Sequence, residues 1–462
     1  MRLPRVLVLV ALLAGTALAD DTPARLAGYD AIARTGHAVK LRAKLEGKGV
    51  LGVYSSVEAE FLDFWLTGEP NKDGKPGVAT LEKEKFLGTA KTDSNGIGEL
   101  EWTPETPYQG SLEVEARVRK GSKYVAVPAT LDVLLANHDR PLTLVTIEQT
   151  LTDLSWTTFM RKDAKDIPVN EGAAEALNKL WEKHGIVYMT GVEEVSLVKT
   201  KDWLKLKGFP RGPVFFWNIS ASPTASGLKY KSSVAAKLKT DFGGLTSGIG
   251  GQVEDANACI ANGITAYLVA NNDASAPAEA IKVKAWDKLQ AAVERQHDVE
   301  GFLRDLAGKD AVKQEPASAA LAKVETGEIG YLVRFLKSSD VDLAAAARLI
   351  VGRIRARDAF AASLDAASDS SALASLIAAW RQGDATVTAR LYRDGASGLA
   401  KGGPGLEKFR AIEVVNRSEP EPGKVIYRLR FLPREAGAES VEKDYAFLRG
   451  DDQNWRVEAG DL

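Results

Sequence analysis

The stretch Leu142-Thr143-Leu144-Val145-Thr146-Ile147-Glu148-Gln149-Thr150-Leu151-Thr152-Asp153-Leu154-Ser155-Trp156 decides how the chain is read. Its first half is apolar and β-branched, which suits a strand buried on both faces of a parallel sheet. Its second half breaks into a polar turn. A buried strand that ends this way puts chemistry at its carboxyl end, where α/β sheets present their sites.

Outward from this stretch, strand and helix patterns alternate from Leu142 to about Ala270, as a doubly wound α/β sheet requires. Ala173, Ala176, Leu177, Leu180 and Trp181 have helical spacing within 170–183. A strand is predicted at 186–189, a helix at 199–206 ended by Gly208, and a strand at 213–217. A helix over 228–239, a strand at 245–249, a short helix over 254–262 closed by Gly263 and a last strand at 265–269 complete the domain.

Upstream, 39–136 shows period-two alternation. Val39, Leu41, Ala43 and Leu45 alternate with Lys40, Arg42 and Lys44, and Leu112, Val114, Ala116 and Val118 with Glu113, Glu115 and Arg117. The turn signals Asn71-Lys72-Asp73-Gly74 and Asp93-Ser94-Asn95-Gly96 separate such runs. The expectation is an antiparallel β-sandwich of immunoglobulin-like type, a module that binds, spaces or shields. Asp139-Arg140-Pro141 reads as the hinge into the α/β domain.

Downstream, 276–375 is rich in helix patterns and alanine. Leu332, Phe335 and Leu336, then Leu343, Ala347, Ile350 and Ile354, form stripes that read as core. From 376 onward a helix ending near Trp380, Gly383-Asp384 and a second helix through Leu391 precede strands at 409–415, 425–431, 445–448 and 455–457. Helices followed by antiparallel strands make a small α+β domain. Its element order and closing Asn454-Trp455-Arg456-Val457 resemble the cystatin or nuclear-transport-factor-like cone.

The 462 residues are enough for about three domains of ordinary size. With 45% apolar and 26% charged residues and a net charge of -2, the composition is that of a soluble globular protein without attraction to nucleic acid or anionic membranes. Arg2 and Arg5, the apolar run 6–13 and Ala17-Leu18-Ala19 have the form of a secretory signal over 1–19. That predicts export to the periplasm or the cell exterior, and no later run is apolar enough for a transmembrane span. The single cysteine, Cys259, excludes an internal disulfide, a lipid-modified cysteine at the cleavage site and thiolate zinc clusters. The expected order is therefore signal segment 1–19, β-sandwich 20–137, α/β domain 138–275, helical region 276–375 and α+β domain 376–462.

The central stretch resembles motif I, hhhDxDGTLTD, of the haloacid dehalogenase (HAD) phosphohydrolase superfamily. In that register Thr146 stands at the nucleophile position, Glu148 at the general acid/base position and Gln149 at the glycine, while Thr150, Leu151, Thr152 and Asp153 follow the pattern. The resemblance implies that Thr190, after the next strand, contacts a phosphoryl oxygen. A helix N-cap is its other reading, because Glu193 follows three residues on. Lys231, with Lys229 as second choice, takes the position of the phosphate-neutralising lysine, although a single lysine is more often merely solvated. Gly250-Gly251-Gln252-Val253-Glu254-Asp255 stands where the family has GDxxxD, so Gly251 replaces the first acid and Asp255 retains the second. Asp255 either bridges to Lys231 or caps the following helix. Gly208-Phe209-Pro210-Arg211-Gly212-Pro213-Val214 and Ala261-Asn262-Gly263-Ile264 narrow the resemblance, which spans about 38–272, to lipin-type and actin-patch-type phosphatidate phosphatases. Those are capless, Mg²⁺-dependent enzymes.

The departures are chemical. A threonine at 146 cannot form the acyl-phosphate that a carboxylate forms, and a neutral hydroxyl needs a neighbouring base. Gly251 supplies no ligand, which leaves Mg²⁺ with Glu148, Asp255, backbone carbonyl and water. Three readings compete. The first is a catalytically silent HAD domain kept as a binding or scaffold module for a phosphate-bearing lipid, a small phosphorylated ligand or an envelope partner. The second is a working Mg²⁺-dependent phosphatase built on Glu148. The third is an envelope structural protein in which the sandwich and the C-terminal domain do the binding.

Overall fold

Alternation of apolar and polar residues folds the N-terminal part of the chain into two facing sheets. The computed structural model describes residues 21–458 except 50–52, 72–75, 106–107, 138–139, 218–226, 271–274, 365, 383–384, 394–408 and 436–437. The signal segment 1–19, the turn at 72–74, Asp139 and Gly383-Asp384 lie outside the described residues. The chain divides into two compact units, Met1–Gln296 and His297–Leu462.

In the first unit, β1 (Thr22–Tyr29), β2 (Ala31–Arg34), β3 (Val39–Lys48), β4 (Tyr54–Ser56), β5 (Phe61–Pro70), β6 (Val78–Lys91), β7 (Ile97–Trp102), β8 (Gly110–Val118), β9 (Tyr124–Val125) and β10 (Ala129–Ala136) form two five-stranded sheets. One has the order β4-β3-β1-β9 with β7 also on β3, and the other β2-β10-β8-β5-β6. Their inner faces share one core, including Leu41, Leu45, Phe64, Leu66, Leu112, Val114, Leu131 and Val133. The turn before β7 forms as its residues demand. Asp93 Oδ1 accepts the N–H groups of Asn95 and Ile97 at 2.8 Å, and Gly96 has a φ of 76° that disfavours a side chain.

Two pairings differ from the antiparallel expectation: β9 runs parallel to β1, and β2 parallel to β10. Only Asp30 separates β1 from β2, so the chain steps from one sheet to the other at that residue. The alternation is cut there, which is why the pattern predicts no strand before residue 39. Asp30 also ties the sandwich to the α/β domain. Its carboxylate accepts from Asp132 N at 2.7 Å, Val214 N at 3.0 Å and Lys201 Nζ at 2.5 Å. Arg211 adds ion pairs to Asp132 and Glu113.

The α/β part has six parallel strands: β11 (Leu142–Thr146), β12 (Gly185–Glu193), β13 (Val214–Trp217), β14 (Leu245–Gly250), β15 (Thr265–Val269) and β16 (Ile281–Val283), in the order β13-β12-β11-β14-β15-β16. The order changes direction at β11. Its helices are α1 (Trp156–Arg161), α2 (Ala173–Trp181), α3 (Leu197–Leu206), α4 (Gly227–Asp241) and α5 (Val253–Ala261). Leu142 and Leu144 pack with Ala235 and Leu238 of α4, Phe242 just after it, and Ala256 and Cys259 of α5. On the opposite face Thr143 meets His184 at 2.9 Å, and Tyr188 donates to Pro210 O at 2.8 Å. The sheet runs past the expected boundary at 275 because β16, too short to show a pattern, pairs with β15.

β10 belongs to two cores. Leu131, Val133 and Leu135 point into the sandwich, whereas Leu134 and Ala136 join Leu142, Phe242 and Leu245 in the α/β core.

Helix α6 (Leu289–Ala307) contains the boundary between the units. The second unit continues with α7 (Ala311–Leu321), α8 (Gly330–Val333), α9 (Val341–Ser363), α10 (Asp369–Gln382) and α11 (Ala385–Ala389). The predicted stripe Leu343, Ala347, Ile350 and Ile354 is buried. Arg357 donates to Ala322 O at 3.2 Å and Val324 O at 3.0 Å. Strands β17 (Phe409–Glu421), β18 (Lys424–Pro433), β19 (Val441–Arg449) and β20 (Trp455–Val457) follow as an antiparallel sheet in sequential order. Trp380 of α10 packs on this sheet, 5.1 Å from the Tyr445 ring.

Because Leu134 carries the sandwich into the α/β core, Leu134→Ala should cost about 2–5 kcal/mol in urea denaturation of the full chain. A cost below about 1 kcal/mol would show that the two cores are not continuous.

Candidate functional site

The chain order places the ends of β11 and β14 side by side where the strand order reverses, and a parallel sheet opens a crevice at such a point. Thr146 is the last residue of β11, Thr190 lies near the end of β12, and Gly250 closes β14. α4 brings Lys231 to the same place, and α5 brings Asp255. The structure thus gathers Thr146, Glu148, Thr190, Lys231, Gly251 and Asp255 in one cluster. Of the two lysine choices, Lys229 is exposed and Lys231 is buried.

Asp255 is the hub. Its Oδ1 accepts from Lys231 Nζ at 3.1 Å, and its Oδ2 accepts from Thr146 Oγ1 at 3.0 Å and Gln252 N at 3.3 Å. It therefore bridges to Lys231 and also closes a capping box with Gln252 at the start of α5. Proton counting fixes the next step. Thr150 Oγ1 accepts from Gly251 N at 2.7 Å and lies 2.7 Å from Thr146 Oγ1. A hydroxyl has one proton to give. The consistent arrangement is Gly251 N–H to Thr150, Thr150 to Thr146, and Thr146 to the Asp255 carboxylate.

Glu148 occupies the other side. Thr190 Oγ1 donates to its Oε1, Gly191 N approaches its Oε2 at 3.5 Å, and Lys231 Nζ lies 3.8 Å from Oε2. Burial works against the Lys231 ammonium, but Asp255 and then Glu148 outweigh it and hold its pKa above the ordinary lysine value. Its share of stability is therefore complete at neutral pH and is lost only as alkaline pH strips the ammonium. Cys259, on the same helix as Asp255, is pushed up to about 12 by burial and then by the Asp255 charge, which makes it an inert packing residue.

Thr190 is not a helix N-cap. β12 continues to Glu193, and α3 is preceded by a short 3₁₀ turn and begins only at Leu197, so the Glu193 spacing belongs to strand and turn. Three features escape sequence reasoning. Gln149 has a φ of 54°, the left-handed region that favours glycine, and its side chain donates to Asp153 O at 2.7 Å. Asn170 Nδ2 holds the loop through Thr150 O at 2.8 Å. A Cβ at Gly251 would stand 1.7 Å from Gln149 O and 2.7 Å from its carbonyl carbon. The backbone of the β11 loop thus fills the space that a side chain at 251 needs.

Among the described residues there is no group of three or more His, Cys, Asp or Glu side chains placed to hold a metal ion. A cavity of about 720 Å³ opens elsewhere, lined in part by Arg25, Tyr29, Lys44, Glu194 and Lys199. None of the clustered side chains faces it, so its contents would not meet them.

Lys231→Met leaves the buried Asp255 and the half-buried Glu148 without their shared counter-charge and should cost about 3–5 kcal/mol at pH 7. Denaturant titration at pH 7 checks this, and a loss below about 1 kcal/mol contradicts it. Gly251→Ala should lose at least about 2 kcal/mol, because backbone must move to admit the methyl group. A neutral outcome would mean that the loop yields.

No family model matches the chain, and no curated protein matches it. Among solved structures, chitinase ChiW from Paenibacillus sp. is matched at 10% identity over 49% of this chain and 24% of its own, with a TM-score of 0.17. A putative α-galactosidase/melibiase from Bacteroides fragilis is matched at 10% identity over 52% of this chain and 49% of its own, with a TM-score of 0.13. The chain spans less than half the length of either. Similarity at that level carries no argument about fold or activity.

Proposed function

We propose that this is an exported scaffold or binding protein whose α/β domain is a catalytically silent relative of the HAD phosphatidate phosphatases, joined to an immunoglobulin-like sandwich. The observation that carries the reading is the state of the nucleophile position. Thr146 is buried, and its hydroxyl donates to Asp255 at 3.0 Å, closer than its other acceptor, Ile249 O, at 3.4 Å. That carboxylate is in turn held by Lys231 and by the backbone N–H of Gln252.

Magnesium does not fit this cluster. The two remaining carboxylates, Asp255 and Glu148, already share the Lys231 ammonium. The space for a ligand at 251 is filled by the Gln149 carbonyl. A divalent ion brought here would meet a fixed positive charge and too few anionic oxygens.

The register of the resemblance has support of its own. Gln149 falls on the family's glycine, and its backbone is in the left-handed region that glycine adopts most readily. The arrangement suits a rigid platform, because the same loop is fixed by Thr150, Asn170 and Gly251. Ligands of such a platform would be a phosphate-bearing lipid or small phosphorylated molecule, or another envelope protein.

The full chain should show no turnover of phosphatidic acid or of an aryl phosphate, with or without Mg²⁺. Turnover that disappears in Glu148→Gln while the melting temperature holds would sink this reading in favour of a Glu148-based phosphatase.

A further inference from the structure

Three donors converge on one acceptor beside the Thr146–Asp255 pair. Thr190 Oγ1, Gly191 N–H and Lys231 Nζ all face the Glu148 carboxylate. A hydroxyl, a backbone amide and an ammonium form a set that fits an oxyanion. We propose that Glu148 is a built-in anion that closes the phosphoryl site the resemblance implies at Thr190 and Lys231, so that a phosphate monoester enters only once that carboxylate is displaced.

The site is built rather than incidental. Lys231 is 5% exposed and Thr190 is 1% exposed, so neither can turn to water instead. Glu148 reaches them from the loop after β11 with one more methylene than an aspartate, about 1.5 Å of added length. Its side chain is 15% exposed, so it lies on the open side of the pair and can leave where Lys231 cannot. A tethered carboxylate competes as if present at millimolar concentration or above, which keeps out a weakly bound free phosphate. Its departure would leave Lys231 balanced chiefly by Asp255, with two neutral donors beside it.

This rests on the reading of the α/β domain as a silent phosphohydrolase relative, and the two fail separately. Phosphate ester turnover by the wild-type chain overturns that reading. The built-in anion is tested by equilibrium binding of inorganic phosphate to the full chain. Wild type should bind at least tenfold more weakly than Glu148→Ala, and Glu148→Ala/Thr190→Val should lose the gain. If Glu148→Ala does not fold, the isosteric Glu148→Gln, which removes the charge and keeps the shape, should bind more tightly than wild type. Equal binding by wild type and a folded Glu148 variant overturns the proposal, as does a gain that survives loss of the Thr190 hydroxyl. Further arms with glycerol 3-phosphate and with phosphatidylcholine vesicles containing phosphatidic acid separate a soluble from a lipid source of the group. A Thr190-dependent gain in either arm supports the site, and a gain in neither overturns it.

Discussion

The Asp255 carboxylate holds this architecture's central crevice together. It accepts from Lys231 on one helix, from Thr146 at the end of the central strand and from the backbone at the start of its own helix. Three elements that meet only at their ends are thereby fixed to a common point. A buried ion pair adds little net stability, since desolvating two charges offsets most of their attraction. It is strict about geometry, because every donor left unmatched in that environment carries a large penalty. That strictness explains how the crevice keeps its shape around a neutral hydroxyl at its centre. The hydroxyl donates, Thr150 donates to it in turn, and no buried polar atom of the relay is stranded.

The sequence disclosed the large elements where one physical signal dominated. Leu142 to Val145 read as a doubly buried strand, and such a strand forms. Val39 to Leu45 alternate and form β3. Short or interrupted segments stay hidden. β16 has three residues and no periodicity, and β1 and β2 are divided at Asp30, where the chain changes sheets. The parallel pairing of β2 with β10 is a long-range fact that no local pattern encodes.

The cluster was legible one residue at a time, through spacing to strand ends and helix starts. What spacing could not disclose is mutual engagement. Whether Glu148 faces water, metal or its neighbours depends on loop backbone, and the left-handed turn at Gln149 sets that backbone. Nor does a glycine at 251 announce that a carbonyl oxygen lies where its side chain would be. Such close approaches are settled by folding the loop, since they involve main-chain atoms common to every residue.

The strand β10, which has one face in each of two cores, has a consequence for descent. A breakpoint at its end would free either half with half of a strand's apolar side chains bared to water, and such surfaces aggregate. Recombination is therefore penalised at the place where the two architectures meet, and the pair should pass between genomes as one heritable block.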